Sequence, residues 1–320
     1  MGILLGQDGV NPNKPDKKGR TPLLGAVEGG HEGVVKMLLE RGDVQPHKPN
    51  IYGRTPLWCA AFYGREEVVK TLLGREDVGP DTPDICGTTA LWGAARNGHE
   101  RVVKILLRRD DINPDKPDNA GQTPLWGAAE NGHEGVVNIL LGRASVTSDR
   151  PDICGRTPLW GAAENWCEGV VEILLGRRDV SPDKPDIYGR TPLWCATFYG
   201  HEEGVKVLLG RGVNPNKQDI KGETPLSSAA SKGYEEVVRI LLGQSDVNPD
   251  KPNRDGRTPL HCAALRGHEE VARILLRRDD VNPDRLDRDG QTPRLLAASS
   301  GHTGVVALLY PPESMAPGTA

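Results

Sequence analysis

From residue 20 onward the apolar side chains arrive in short bursts whose spacing repeats along the chain. In the first burst Leu23, Ala26 and Val27 lie three and four positions apart, the spacing of one helical face. Thr21 is an N-cap residue by type, and Pro22 suits the first helical position, where its missing N–H costs nothing. Gly29-Gly30 closes the burst, with Gly30 suited to a left-handed backbone. After His31-Glu32 a second burst, Val34, Val35, Leu38 and Leu39, forms a wider apolar stripe. A proline-containing loop, Asp43 to Asn50, leads to the next turn. The pattern predicts two short antiparallel helices per unit.

That unit recurs. A glycine followed two residues later by Thr-Pro-Leu, or a close variant, occurs nine times, at Gly19, Gly53, Gly87, Gly121, Gly155, Gly189, Gly222, Gly256 and Gly290. The spacing is 34 residues throughout, except for 33 between Gly189 and Gly222. Each glycine stands three residues after an Asp or Asn, from Asp16 and Asn50 to Asp287, which is turn chemistry: the side chain bonds forward to its own backbone and Gly supplies the positive φ. One such unit cannot bury its apolar face alone, whereas stacked neighbours share a continuous core. The expected fold is therefore an all-α solenoid of nine helix–turn–helix units joined by β-turn or hairpin loops, spanning residues 16–310. Residues 1–15 are expected to be a partial repeat, since Ile3-Leu4-Leu5 matches the end of a second helix as in Ile105-Leu106-Leu107. The polar segment 311–320 is expected to be a disordered tail. Val305, Val306, Leu308 and Leu309 stay as apolar as interior copies, so a piece of a longer array or a truncated gene product is expected.

The string Asp-x-x-Gly-x-Thr-Pro-Leu-x-x-Ala-Ala-x-x-Gly-His-Glu-x-Val-Val-x-x-Leu-Leu resembles the ankyrin repeat over nearly the whole chain. The loop after the second helix departs from the commonest family form: Arg109-Asp110-Asp111-Ile112-Asn113-Pro114-Asp115 is one residue longer and resembles ankyrin arrays of filamentous fungi. The resemblance implies protein binding through a concave face built from hairpin tips and inner helices, as the sensor region of a larger fungal protein; a stand-alone adaptor or inhibitor is the alternative. It places the variable positions on that face: the two residues after the turn Asx, the residue after Gly, and the last two of the first helix.

The chain has only two Phe and six Tyr, yet both Phe and four Tyr occupy those positions. Ile51, Tyr52, Arg54, Phe62 and Tyr63 form one expected patch in the second repeat. Ile187, Tyr188, Arg190, Phe198 and Tyr199 form its copy in the sixth. Tyr and Arg are enriched in interface hot spots, and four layers of packed helices separate the patches by roughly 32–40 Å. Arg96-Asn97, Glu130-Asn131 and Glu164-Asn165 supply a polar stretch expected to add specificity.

Other conspicuous residues follow the repeat. Trp58, Trp92, Trp126, Trp160 and Trp194 share the place where His261 keeps the family's usual residue; they are expected to pack inward, each indole N–H seeking a carbonyl. His31, His99, His133, His201, His268 and His302 follow the glycine between the helices and are expected to cap or to bond across repeats, not to bind metal. In the fifth repeat Trp166-Cys167 replaces Gly-His, which predicts a strained left-handed Trp166 and a weak link. The loop aspartates lack the dense alternation of a calcium loop and are expected to be solvated turn residues.

Composition narrows the class. Lys+Arg 40 against Asp+Glu 44 leaves a net charge of −4, without the basic surplus of a nucleic-acid binder. No run approaches the 18 or so apolar residues of a membrane span, and Met1 to Asp8 lacks the basic lead and apolar core of a signal peptide and the Ser/Thr of a myristoylation signal. Six cysteines without C-x-x-C spacing fit reduced thiols in the cytoplasm or nucleus and give no zinc ligand set. With no phosphate loop, nucleophile elbow or metal motif, the expectation is a non-enzyme with a protein partner and no cofactor.

Overall fold

The structure, a computed structural model, describes residues 11–310. The Ile3-Leu4-Leu5 remnant and the 311–320 tail lie outside the described residues. The described chain contains eighteen helices and no strand, paired as the repeat predicts, and divides into two compact units, Met1–Val180 and Ser181–Ala320.

The first unit holds five pairs: α1 (Pro22–Glu28) with α2 (Glu32–Leu39), α3 (Pro56–Phe62) with α4 (Glu66–Leu73), α5 (Ala90–Arg96) with α6 (Glu100–Leu106), α7 (Pro124–Glu130) with α8 (Glu134–Leu141), and α9 (Pro158–Glu164) with α10 (Glu168–Leu175). The second holds four: α11 (Pro192–Tyr199) with α12 (Glu202–Leu209), α13 (Pro225–Lys232) with α14 (Glu235–Leu242), α15 (Pro259–Arg266) with α16 (Glu269–Leu276), and α17 (Pro293–Ser299) with α18 (Thr303–Leu308). Within each unit first helices stack on first helices and second on second.

Local chemistry sets each element. Thr55 Oγ1 accepts the Trp58 N–H at 3.1 Å, capping α3, and Pro56 opens it. In the third turn Asp84 Oδ1 accepts the N–H groups of Cys86 and Thr88, both at 2.9 Å, while Gly87 takes φ 82°. Within each unit neighbouring turns are then tied by one backbone bond each: Ile85 N–H donates to Tyr52 O at 3.0 Å, and Ile220 N–H to Tyr188 O at 2.8 Å.

Leu, Val and Ala build the core. Leu57, Leu91, Leu125 and Leu159 line the first helices of the first unit, with Val69, Val103, Val137 and Val171 opposite, all buried. Each such side chain contributes about 1.5–3 kcal/mol. Val34 is only half-buried, so the second-helix stripe is narrower there than its spacing predicts.

Three expectations change. The turn aspartates Asp84, Asp152, Asp186 and Asp287 are buried, not solvated; the backbone of the preceding hairpin closes over Asp84, Asp152 and Asp287, at Gly53, Gly121 and Gly256. The tryptophans are buried as expected, but the indole of Trp58 donates to the Thr88 hydroxyl, at 3.0 Å, and not to a carbonyl. The indole N–H groups of Trp92, Trp126 and Trp194 find no acceptor among the described residues. Packing area therefore outweighs the polar handle at this position.

The inter-helix histidines do not cap their own helices. His99, His133, His268 and His302 reach back to the preceding repeat: His133 Nε2 is 2.9 Å from Arg96 O, and His99 Nε2 is 3.0 Å from Phe62 O. The ring crosses the preceding glycine so closely that a Cβ on Gly98 would sit 2.6 Å from His133 Nδ1. In the fifth repeat Cys167 Sγ replaces that ring, 3.6 Å from Glu130 O, and Trp166 takes φ 48°, the positive φ expected of it.

The longer loop has a clear use. Arg109 pairs two-fold with Asp111, at 2.8 and 2.7 Å, and donates through Nη1 to Leu73 O at 2.9 Å, satisfying an open carbonyl at the end of the previous second helix. Arg75 and Arg278 repeat both bonds, to Asp77 and Leu39 O and to Asp280 and Leu242 O.

Candidate partner-binding site

Each aromatic patch is built on a first helix and the turn before it. In the first unit Phe62 lies one turn beyond Trp58 on α3, so the rings stack, with centroids 4.9 Å apart and planes 12° from parallel. Tyr63 meets Phe62 edge-on at 5.3 Å. The Arg54 guanidinium lies 4.4 Å from the Trp58 ring and 5.7 Å from the Tyr52 ring. Buried Trp58 thus anchors half-buried Phe62 and Arg54, leaving Ile51, Tyr52 and Tyr63 outermost, 59%, 45% and 46% exposed. The half-buried phenylalanines stand between the buried tryptophans and the exposed tyrosines.

The second unit repeats this arrangement. Trp194 and Phe198 stack at 4.9 Å, Phe198 and Tyr199 meet edge-on at 5.2 Å, and Arg190 lies 4.9 Å from Tyr188 and 5.4 Å from Trp194. Ile187, Tyr188 and Tyr199 are exposed. The arginines differ in their tethers. Arg190 bonds its own turn acid, Asp186, at 2.8 and 2.6 Å. Asn50 occupies that place in the second repeat, so Arg54 turns to Asp84 of the next, Nε 3.5 Å from Oδ2; that distance allows charge attraction without a formed hydrogen bond.

The polar stretch is largely self-paired. Arg96 forms an ion pair with Glu130 at 2.9 Å and lies over the Trp92 ring at 5.3 Å. Asn97 and Asn131 turn back to Gly93 O and Gly127 O at 2.8 and 2.9 Å, and Asn165 donates to Glu130 O at 3.0 Å. Glu164 is half-buried at the end of α9. Nearby, burial pushes the Asp118 carboxyl up, against the bonds it accepts from the Gln122 and Ala120 N–H groups. Burial opposes the Arg156 charge, but the bond and charge of Asp152 outweigh it and raise the guanidinium pKa.

Sequence comparison missed other exposed apolar tips. Ile85 and Ile153 in the first unit and Ile220 in the second are 63%, 69% and 45% exposed. They share the position after the turn Asx with Ile51 and Ile187, so lining up the repeats by that residue finds them.

Capped helix pairs, buried Asx turns and a surface of hairpin tips define a stacked-repeat protein. A family model of ankyrin repeats in three copies matches residues 2–84, 76–150, 143–219, 203–285 and 226–316, and the chain belongs to the ankyrin-repeat family. No curated protein matches it significantly.

Proposed function

We propose that this chain is a protein-binding module whose contact surface is the row of hairpin tips and first-helix ends, with the two aromatic patches as anchors. Ankyrin repeats are generally protein–protein interaction modules. The observation that carries the finer reading is the placement of Tyr52, Tyr63, Tyr188 and Tyr199: each is about half exposed although rings of this size are normally drawn inward, and each is braced by an edge-on Phe or an overlying Arg. Braced aromatics lose little freedom on binding, which favours affinity. Arg96, Glu130 and Glu164 between them supply charge that selects among partners.

The protein acts as the sensor region of a larger fungal protein, in keeping with its longer loop, and works in the cytoplasm or nucleus. Unpaired thiols support that location: Cys59 and Cys262 lie in the core, where burial pushes both thiols up to about 12 and leaves them inert. Among the described residues no helix is long and apolar enough to cross a membrane.

Affinity capture from the native host with mass spectrometry identifies the partner. Replacing Tyr63 and Tyr199 together by Ala is expected to weaken its binding at least tenfold; unchanged affinity removes the aromatic patches as anchors.

A further inference from the structure

Beside the second aromatic patch lies a cavity of about 370 Å³, lined by Tyr188, Arg190, Trp194 and Phe198 on one side and by Ile220 and Glu223 of the following turn on the other. Its chemistry is not that of the first patch. There the indole of Trp58 donates to the Thr88 hydroxyl at 3.0 Å, closing the seam between repeats. Glu223 holds the position of Thr88, and the Trp194 indole N–H has no acceptor among the described residues. The half-buried Glu223 carboxylate makes no hydrogen bond or ion pair among the described residues, although its own N–H and C=O are used in the turn.

We propose that this cavity binds the side-chain cation of an arginine or lysine carried by the protein partner, the rings taking its face and Glu223 its charge. The proposal rests on the reading of this surface as the partner-binding one. Aromatic faces attract cations, and the patch beside the cavity already shows it: Lys232, outside the cavity lining, has its Nζ 4.2 Å from the centre of the Phe198 ring. Two cations line the cavity: Arg190, whose charge Asp186 matches through bonds of 2.8 and 2.6 Å, and exposed Lys221, which the lining acid Asp219 offsets. Burial raises the Glu223 pKa, and the charges of Asp219 and Asp255 add to it while Lys221 opposes. A partly buried carboxylate among other acids is costly until a cation joins it, and a partner's Arg or Lys supplies the missing donor.

The test needs no identified partner. The full chain, labelled with nitrogen-15, is titrated with N-acetylarginine amide, N-acetyllysine amide and the neutral isostere N-acetylcitrulline amide, following the Trp194 indole resonance, assigned with Trp194→Phe. Both cations are expected to shift that resonance at least tenfold more tightly than citrulline, and Glu223→Gln to remove the difference. Equal binding of citrulline, or a preference that survives Glu223→Gln, overturns the proposal. If it is overturned while the Tyr63 and Tyr199 replacements still weaken the captured partner, the cation site alone falls. If the titration succeeds but those replacements change nothing, the aromatic anchors fall instead.

Discussion

Arg257 Nε lies 3.1 Å from Asp287 Oδ2, thirty residues further along the chain, although a turn residue stands only four positions before it. The reason is that this residue is Asn253, whose Oδ1 is already taken by the Asp255 and Arg257 N–H groups and whose side chain carries no charge. Where the turn residue is Asp, as at Asp16, Asp152 and Asp186, the arginine closes on its own turn. The identity of one turn residue thus decides whether a guanidinium bonds within a repeat or between two.

Asn253→Asp is expected to draw Arg257 back to its own turn and to weaken coupling between the eighth and ninth repeats. Asp287→Ala leaves Arg257 and the N–H groups of Asp289 and Gln291 without their acceptor and is expected to cost about 1–3 kcal/mol. Denaturant unfolding followed by hydrogen exchange in α17 checks both; protection of α17 equal to wild type in both variants contradicts the assignment.

Acid sensitivity should appear at Asp179. The Arg177 guanidinium, then the Ser148 hydroxyl at 2.7 Å, hold its carboxyl down to about 2. A depressed folded-state pKa stabilises the fold above the unfolded value of about 3.9, and that contribution is lost as pH falls through the folded pKa. Arg177→Gln is expected to return the Asp179 titration toward 3.8, measured by carboxyl NMR, and to flatten the stability profile between about pH 4 and 2.

Gly98 carries φ 73° beneath the His133 ring. Gly98→Ala adds a left-handed penalty of about 1–2 kcal/mol and displaces the ring from Arg96 O. Thermal unfolding should show the loss, whereas Gly33→Ala, on an open helix surface, should leave stability unchanged or slightly raised.

Trp166 is the one described non-glycine residue with positive φ. Trp166→Gly is expected to stabilise the fifth repeat by about 1–2 kcal/mol. In the natural chain, amides of α10 should exchange faster than those of α8; equal protection refutes the weak link.

How far these features were legible depends on whether they arise from local chemistry or from a neighbour. Thr21, Pro22 and Gly30 announce helix ends because caps and φ act within a few residues, and Trp166 stood out because it breaks that local rule. The burial of Asp84 was hidden, since it comes from a hairpin 34 residues away. The indoles failed to find carbonyls for a related reason: what faces each ring is the side chain of the next repeat, Thr88 in one case and Glu223 in another. The bracing of Tyr63 by Phe62 was partly legible, as Trp58 and Phe62 are four apart on one helix.

The two aromatic patches, near-copies in sequence, differ in how freely they can be transplanted. Arg190 bonds Asp186 of its own turn, so the sixth repeat holds a tether of its Tyr188–Arg190–Trp194 stack within itself. Arg54 leans on Asp84, so the second repeat keeps its stack in place only with the third behind it. Shuffling of repeats among such arrays can move the first as one unit and must move the second as two.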